Sequence, residues 1–402
     1  MCSWVEQDAE ELFNSVVECL KQLKQEIQLN NFNFPVACGI TNQRESVVAF
    51  RKSTGKTIGN AISWMDVRTF HLVEKLKTDP IRLQKFENLT GLKASTFFSA
   101  FKIQWILENA KEAQEAAKEN DNNLAFATVD CWILWKLTNG ASFFTDPSNA
   151  SRTFLYDIEN DNWSPDLLAY FNINQAWLPE IKSENYGEIS REFHFPELPI
   201  TALIGDQQAS LIGHWGKDFV GKTKCTFGTG AFLLRSIGDS LEKAETNPNA
   251  LNTVIIPGRL AEEYPIVCAG SLIKWLQKSL NFINKASELN QMNFAPQSAE
   301  NSVYFVPNLA GCLFPTWDPS ARGSFHNISL QTGKSEMIFS VIEAVAFCIK
   351  RALETENVPI LSVDGGMCTN KHFCQLLANV CNTSIRKKLF VFLKIIIYRC
   401  FG

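Results

Sequence analysis

Three observations predict an α/β chain in two lobes. Strand-like apolar runs alternate with helix-like amphipathic segments, glycine-bearing turns separate them, and 402 residues suffice for two cores. Each element follows from its own pattern. Residues 9–27 put Leu12, Val16, Leu20, Leu23 and Ile27 on one face of a helix, with Glu and Lys opposite. "FPVACGI" and "ESVVAF" predict two short strands around "TNQR". "FSAFKIQWILENAKEAQEAAKE" predicts one continuous helix, and "FATVDCWILWKLT" a strand end feeding a tryptophan-rich buried helix. "TALIGDQQASLIG" predicts a short strand, a glycine turn and a helix start.

The second half repeats the alternation with other residues. "KCTFGTGAFLLRSIG" predicts two strands around a Gly-Thr-Gly turn. "GSLIKWLQKSLNFI" and "SEMIFSVIEAVAFCIKRALE" predict amphipathic helices. "PILSVDGGMCTNKHFCQLLANV" predicts strand, double glycine and helix, with Phe373, Leu376, Leu377 and Val380 on the helix's apolar face. No internal repeat or low-complexity linker interrupts this order.

Composition removes several function classes. A net charge of -4 gives no support for binding nucleic acid or an anionic membrane. The twelve cysteines are scattered, with no C-x-x-C or His/Cys ligand spacing, so no zinc site is expected. "MCSWVEQDAEELF" lacks the basic start and apolar core of a signal peptide. Free thiols in a reducing cytoplasm are therefore expected. No apolar run is long enough to span a bilayer, and the longest, "LFVFLKIII" at 389–397, contains Lys394.

Four short stretches and one tryptophan could carry chemistry. Arg44 and Glu45 offer donors and acceptors suited to a polyol, although adjacent residues of this kind also form plain surface ion pairs. Trp64 could wall such a pocket or simply fill the core. Asp206, at the end of a strand, could accept a proton from a hydroxyl nucleophile, and equally could cap a helix. "FGTG" at 227–230 offers backbone amides for phosphate oxygens, or an ordinary hairpin turn. In "VDGGMCTN" the glycines let a flat ring approach the backbone, and Asn370 stands where the next helix begins; strand–helix packing needs the same glycines. The five histidines fall in no ligand or triad spacing and are given no catalytic role.

Taken in order, "GITNQRE", "VDCWILWKLT", "TDPSNASRTFLYDI", "GDQQASLIG", "KCTFGTGAFLL", "YFVPNLAGCLFPTWDPSARG", "IEAVAFCIKRALE" and "VDGGMCTN" resemble segments of the glycerol kinases of the FGGY carbohydrate kinase family. The resemblance runs from about Trp4 to about Thr383. It implies a two-lobed actin-like ATPase fold of ribonuclease H-like type, and ATP-dependent phosphorylation of glycerol to glycerol 3-phosphate with Mg²⁺. It also implies residues 1–213 as a glycerol-binding lobe, 214–385 as a nucleotide-binding lobe, and 386–402 as an apolar tail foreign to the family. By the same resemblance Arg44, Glu45, Trp64, Asp206 and Gln207 bind glycerol, and Asp206 is the catalytic base and Mg²⁺ ligand. Thr229, Gly270, Gly366 and Asn370 then match nucleotide-site positions.

The departures also carry expectations. A tyrosine of the family's glycerol pocket aligns with Phe97 or its neighbour Phe98, which removes a hydroxyl. A glutamine near the nucleotide aligns with Lys274. The family's D-x-G-T-T-S phosphate hairpin has no counterpart, since "SWVEQDAEEL" aligns downstream of it, so the first lobe is expected to be incomplete. Three readings follow: a glycerol kinase, a catalytically impaired isoform that binds or regulates, and a kinase for another small polyol. Homo-oligomer formation stays open.

Overall fold

The computed structural model describes residues 4–119, 122–239, 247–291, 302–354 and 357–387. They divide into two compact units, one within residues 1–209 and 252–259, the other within 210–251 and 260–390.

The first unit begins with helix α1 (Ala9–Asn30), whose N-cap Asp8 accepts from the amides of Glu10 and Glu11 at 2.8 and 3.1 Å. Its buried face carries Ala9, Phe13, Val16, Leu20 and Ile27. Phe13 thus takes the core place expected for Leu12, because the larger ring sets the face toward Phe193, 5.4 Å away. Strand β1 (Cys38–Asn42) leads through the Gln-Arg-Glu turn into β2 (Val48–Arg51). The long helix expected from residue 98 onward is two helices, α2 (Ser99–Asn109) and α3 (Lys111–Lys118). Ala110 between them is extended (φ -94°, ψ 109°), and the side chains of Asn109 and Gln114 occupy the carbonyls of Trp105 and Glu108. The break lets Ala113 and Ala116 reach the core separately from Phe101, Ile103 and Ile106.

Strand β3 (Leu124–Ala127) pairs antiparallel with β2 and runs directly into α4 (Val129–Leu137). Helix α4 is mostly apolar and correspondingly buried, with the indole of Trp132 donating to the Ala9 carbonyl at 2.9 Å. The short helix α5 (Pro147–Ala150) is capped by Asp146, and β4 (Ile200–Gly205) lies parallel to β1, Gly205 opposite Asn42. Helix α6 (Asp206–Trp215) follows β4 without a loop residue.

The second unit is built on a mixed sheet. Strands β5 (Thr223–Phe227) and β6 (Ala231–Gly238) form the expected hairpin around Gly228-Thr229-Gly230. Strand β7 (Arg259–Ile266) lies antiparallel to β6, and β8 (Ile360–Asp364) and β9 (Ser384–Lys387) extend the other side in parallel. Helix α7 (Gly270–Lys278) is shorter than its amphipathic pattern, while α8 (Lys334–Ala352) and α9 (Lys371–Cys381) match theirs. Their apolar faces bury Leu272, Ile338, Val345, Ile349, Phe373 and Leu377 against the sheet's Cys225, Leu233, Leu361 and Val363. Of the expected apolar tail, Arg386 and Lys387 complete β9, and 388–402 lie outside the described residues. No helix among the described residues is long and apolar enough to cross a membrane.

Candidate functional site

In the first unit the Gln-Arg-Glu turn is a strained one. Ser46 donates its amide to the Arg44 carbonyl at 2.7 Å, two residues back, and Glu45 between them has φ 63°. A three-residue turn with a non-glycine residue at positive φ costs roughly 1–3 kcal/mol and persists only where its surroundings dictate it. Those surroundings are charged. Arg44 and Glu45 are both buried, with Arg44 Nε 3.7 Å from Glu45 Oε1 and 3.4 Å from Asp206 Oδ1. Asp206 is the open end of this cluster, its side chain about one-third exposed (32%).

Strand β4 sets these groups by what it lacks. A Cβ on Gly205 would stand 2.7 Å from both Arg44 Cδ and Gln208 Oε1, so only glycine lets the arginine lie along the strand end. Gln208 accepts from Arg44 Nη1 at 3.1 Å and donates to Thr253 Oγ1 and the Val254 carbonyl. The Gln207 amide donates to Asp206 Oδ1 at 2.8 Å and its side chain to Oδ2 at 3.3 Å. An apolar wall completes the surroundings: Trp64 meets Phe97 edge to face at 5.4 Å, and Phe97 meets Phe98 at 5.6 Å. Arg44, Glu45, Asp206 and Gln207 are therefore one cluster, and Trp64 and Phe97 form a contacting pair.

Several residues of this site are not singled out by local sequence pattern. The segment 145–153 supplies most of them. Asp146 caps α5 by accepting from Ser148 and Asn149, and Ser148 Oγ accepts the Gly205 amide at 2.8 Å. Asn149 exchanges reciprocal amide hydrogen bonds with Asn42 at 2.9 and 3.1 Å. Arg152 donates from Nε to Glu45 Oε1 at 2.6 Å. Burial and the neighbouring Asp130 push the Asp146 carboxyl up to about 7. Lys102, fully buried, donates to the carbonyls of Thr96, Phe97 and Phe98 at 2.9, 2.6 and 3.4 Å and so fixes the aromatic wall from below. Burial pulls its ammonium down to about 7, against the pull of Glu45 and Asp66. The signal available in the sequence was "SNASRT", an arginine among small residues that leave it room to be buried.

In the second unit the expected nucleotide residues meet at the ends of two adjacent parallel strands. Thr226 on β5 stands opposite Asp364 on β8, which places the Gly-Thr-Gly turn beside Gly365-Gly366. Helix α7 starts against that turn: Gly270 donates to the Gly228 carbonyl at 2.9 Å, and Ala269 and Ser271 both donate to the Thr229 carbonyl at 3.0 Å. In a trans peptide the N–H points opposite to the C=O, so the amides of Thr229 and Gly230 face away from α7. Lys274, exposed, stands one turn along α7 from Gly270. Asn370 caps α9, accepting from His372 and Phe373 at 2.8 and 3.1 Å. Asp364, which ends β8, accepts from His214 Nε2 and Ser210 Oγ, each at 2.9 Å. Burial would raise its carboxyl, but His214, Lys224 and Thr226 together hold it down at about 2.

Comparison with known proteins shows the family. Residues 1–213 match the N-terminal domain and residues 223–388 the C-terminal domain of the FGGY family of carbohydrate kinases. The chain is 37% identical over 399 residues to a glycerol kinase of Streptococcus sanguinis strain SK36, covering 96% of this chain and 78% of that protein. It is 36% identical over the same shares to a glycerol kinase of Streptococcus pneumoniae serotype 19F. Among solved structures, Plasmodium falciparum glycerol kinase with ADP aligns at a TM-score of 0.82 and 32% identity, over 96% of this chain and 78% of that one. A gluconate kinase from Lactobacillus acidophilus shares the fold at a TM-score of 0.80 and 20% identity, over 96% and 77%. The chain belongs to the FGGY family of carbohydrate kinases.

Proposed function

We propose that this kinase transfers the γ-phosphoryl group of ATP to a terminal hydroxyl of glycerol, giving glycerol 3-phosphate and ADP. The observation that carries the reading is the cluster of Arg44, Glu45 and Asp206, buried at one end and open at Asp206. A small neutral polyol needs paired donors and acceptors at fixed positions, and this cluster supplies both at charge-assisted strength. Arg44 donates to a substrate hydroxyl, Glu45 accepts from one, and Gln207 does either. Trp64 and Phe97 cover the C–H face of the substrate and exclude water from it. Phe97 presents no hydroxyl, so polar selection falls to Arg44, Glu45, Asp206 and Gln207.

Asp206 takes the proton of the attacking hydroxyl as the bond to phosphorus forms. Arg44, 3.4 Å away, keeps the carboxylate oriented toward that hydroxyl. In the second unit the outward amides of Thr229 and Gly230 suit phosphate oxygens, and exposed Gly366 lets a purine lie on the backbone. Gly270 and Asn370 hold that backbone in shape, and Lys274 offers a charge to phosphate. Residues 1–213 would then serve as the polyol lobe and 214–385 as the nucleotide lobe. Asp206 is also the residue to hold Mg²⁺: its outer edge is solvent-accessible, and Mg²⁺ needs one or two carboxylates beside phosphate and water oxygens. The ion would neutralise charge that builds on the phosphate oxygens. The free thiols of all described cysteines suit a cytoplasmic enzyme.

The test is formation of glycerol 3-phosphate from labelled ATP, Mg²⁺ and glycerol, with Asp206→Asn alongside. Loss of the base is expected to lower kcat about 10²–10⁴-fold with the melting temperature little changed. Equal turnover by parent and Asp206→Asn would sink the assignment of the base. No glycerol-dependent product from a cooperatively folded parent would sink the substrate.

A further inference from the structure

We propose that Arg152 is a positioning residue for this reaction, holding Glu45 and the Phe97 wall from behind and, through Arg44, setting where the Asp206 carboxylate stands. The inference rests on the polyol reading above. Arg152 is completely buried, and its Nε donates to Glu45 Oε1 at 2.6 Å, a charge-assisted contact. Its guanidinium carbon lies 5.6 Å from the Phe97 ring centroid and 5.3 Å from that of Phe98. One side chain therefore touches the acceptor and the apolar wall of the same pocket. A flat guanidinium can stack on rings and donate in its own plane at once, which an ammonium cannot.

The charges alternate from the interior outward: Arg152, Glu45, Arg44, Asp206. Arg44 Nε sits between two carboxylates, 3.7 Å from Glu45 and 3.4 Å from Asp206. That balance depends on Glu45 having its own closer cation in Arg152. Without Arg152, the buried Glu45 draws Arg44 inward, and Asp206 keeps its Gln207 hydrogen bonds but loses the Arg44 ion pair. The turn at Glu45 is also released, because its positive φ is held by the Arg152 contact on one side and by the Ser99 hydroxyl on the Glu45 carbonyl, at 3.1 Å, on the other. Segment 145–153 is built to deliver this arginine. Ser148 fixes the Gly205 amide, Asn149 fixes Asn42, and the Thr153 carbonyl accepts from Ala100 at 2.8 Å. Arg152 reaches Glu45 from a segment already tied to β1, β4 and α2.

The experiment compares Arg152→Gln and Arg152→Lys in the full chain, alone and combined with Glu45→Gln. Steady-state rates are measured against both glycerol and ATP, and thermal melting is recorded for each variant. Arg152→Gln is expected to lower kcat/KM for glycerol by about 10²-fold, as a displacement near 1 Å at a reacting group does, with KM for ATP within about twofold. Arg152→Lys, which keeps charge without the planar fork, should recover part of the loss. On a Glu45→Gln background Arg152→Gln should add little, since its effect runs through Glu45. A purely structural arginine would lower melting temperature and active fraction, leave KM for glycerol at the parent value, and give additive losses in the double variant. Those results, or parent kinetics in Arg152→Gln, overturn the inference while an active parent keeps the functional reading. A parent without glycerol-dependent turnover overturns both. Should Arg152→Gln fail to fold, Arg152→Lys still decides: parent-like KM for glycerol with reduced melting rejects a positioning role.

Discussion

The two candidate regions are built by opposite means. In the first unit the site is made of side chains: two arginines and two carboxylates, three of the four nearly sealed from solvent, in a chain that alternates in sign. In the second unit it is made of backbone packed on backbone. A Cβ on Gly365 would stand 2.3 Å from the Phe227 carbonyl oxygen, one on Gly230 2.5 Å from that of Ile266, and one on Gly270 2.5 Å from that of Gly228. Buried charges tolerate small changes of geometry but not loss of a partner, whereas close backbone contacts tolerate neither size nor strain. A displaced side chain in the first region should therefore act through chemistry with the fold retained, and an added atom in the second through the fold itself.

The largest effect should come from breaking that backbone contact. Gly365 combines φ 93° with the 2.3 Å approach, so Gly365→Ala needs both a left-handed alanine and a displaced strand end. We expect a loss of about 4 kcal/mol or more, visible as a much lower melting temperature or as insoluble chain. Its neighbour is the control. Gly366 is exposed, has no heavy atom within 4 Å of an added Cβ, and is not among the positive-φ glycines. Gly366→Ala should melt within about 1 kcal/mol of the parent and alter only KM for ATP. Equal melting of the two variants would remove the contrast between the regions.

That contrast also decides what was legible in the sequence. Local pattern sufficed for the β5–β6 hairpin, for β8 and its double glycine, and for α9 with Asn370 at its start, because each is specified by adjacent residues. The long helix from residue 98 failed for the same reason: composition stayed helical through Ala110, and only the separate burial of two faces broke it. Within the first-unit site, Arg44, Glu45 and Asp206 were marked by their position at strand ends. Arg152, Lys102 and Gln208 were not, since each acts through a partner at least 100 residues away or through carbonyls that carry no sequence identity. A strained turn at Glu45 has no signature in residue type at all.

A smaller, mainly chemical effect should follow from Gly205→Ala. The atoms its Cβ would strike, Arg44 Cδ and Gln208 Oε1, belong to side chains that can move, so the strand survives. Arg44 then leaves the line between Glu45 and Asp206. Glycerol turnover should fall about 10–10²-fold, with a stability loss of only about 1–3 kcal/mol from overpacking. Unchanged kinetics with glycerol would mean that Arg44 need not lie along the strand end to act.

The smallest effect sharpens the comparison by separating stability from chemistry within the first unit. Lys102 supports the aromatic wall through three carbonyls, and burial brings its ammonium from 10.5 down to about 7 in the folded chain. Between about pH 7 and 10.5 the unfolded chain therefore binds more protons at this residue than the folded one does. By linkage, the unfolding free energy must rise with pH across that window. The burden of the buried charge is full below about pH 7 and is relieved as pH rises, by at most about 1.4 kcal/mol per pH unit. Lys102→Met, close in length and unable to titrate, removes the slope. Denaturant unfolding of parent and variant at pH 7, 8 and 9 should show the parent gaining on Lys102→Met at each step. A constant difference would mean that the carbonyls of residues 96–98 hold the ammonium charged across the whole range, so that the aromatic wall rests on a permanent charge as the Arg152–Glu45 cluster does.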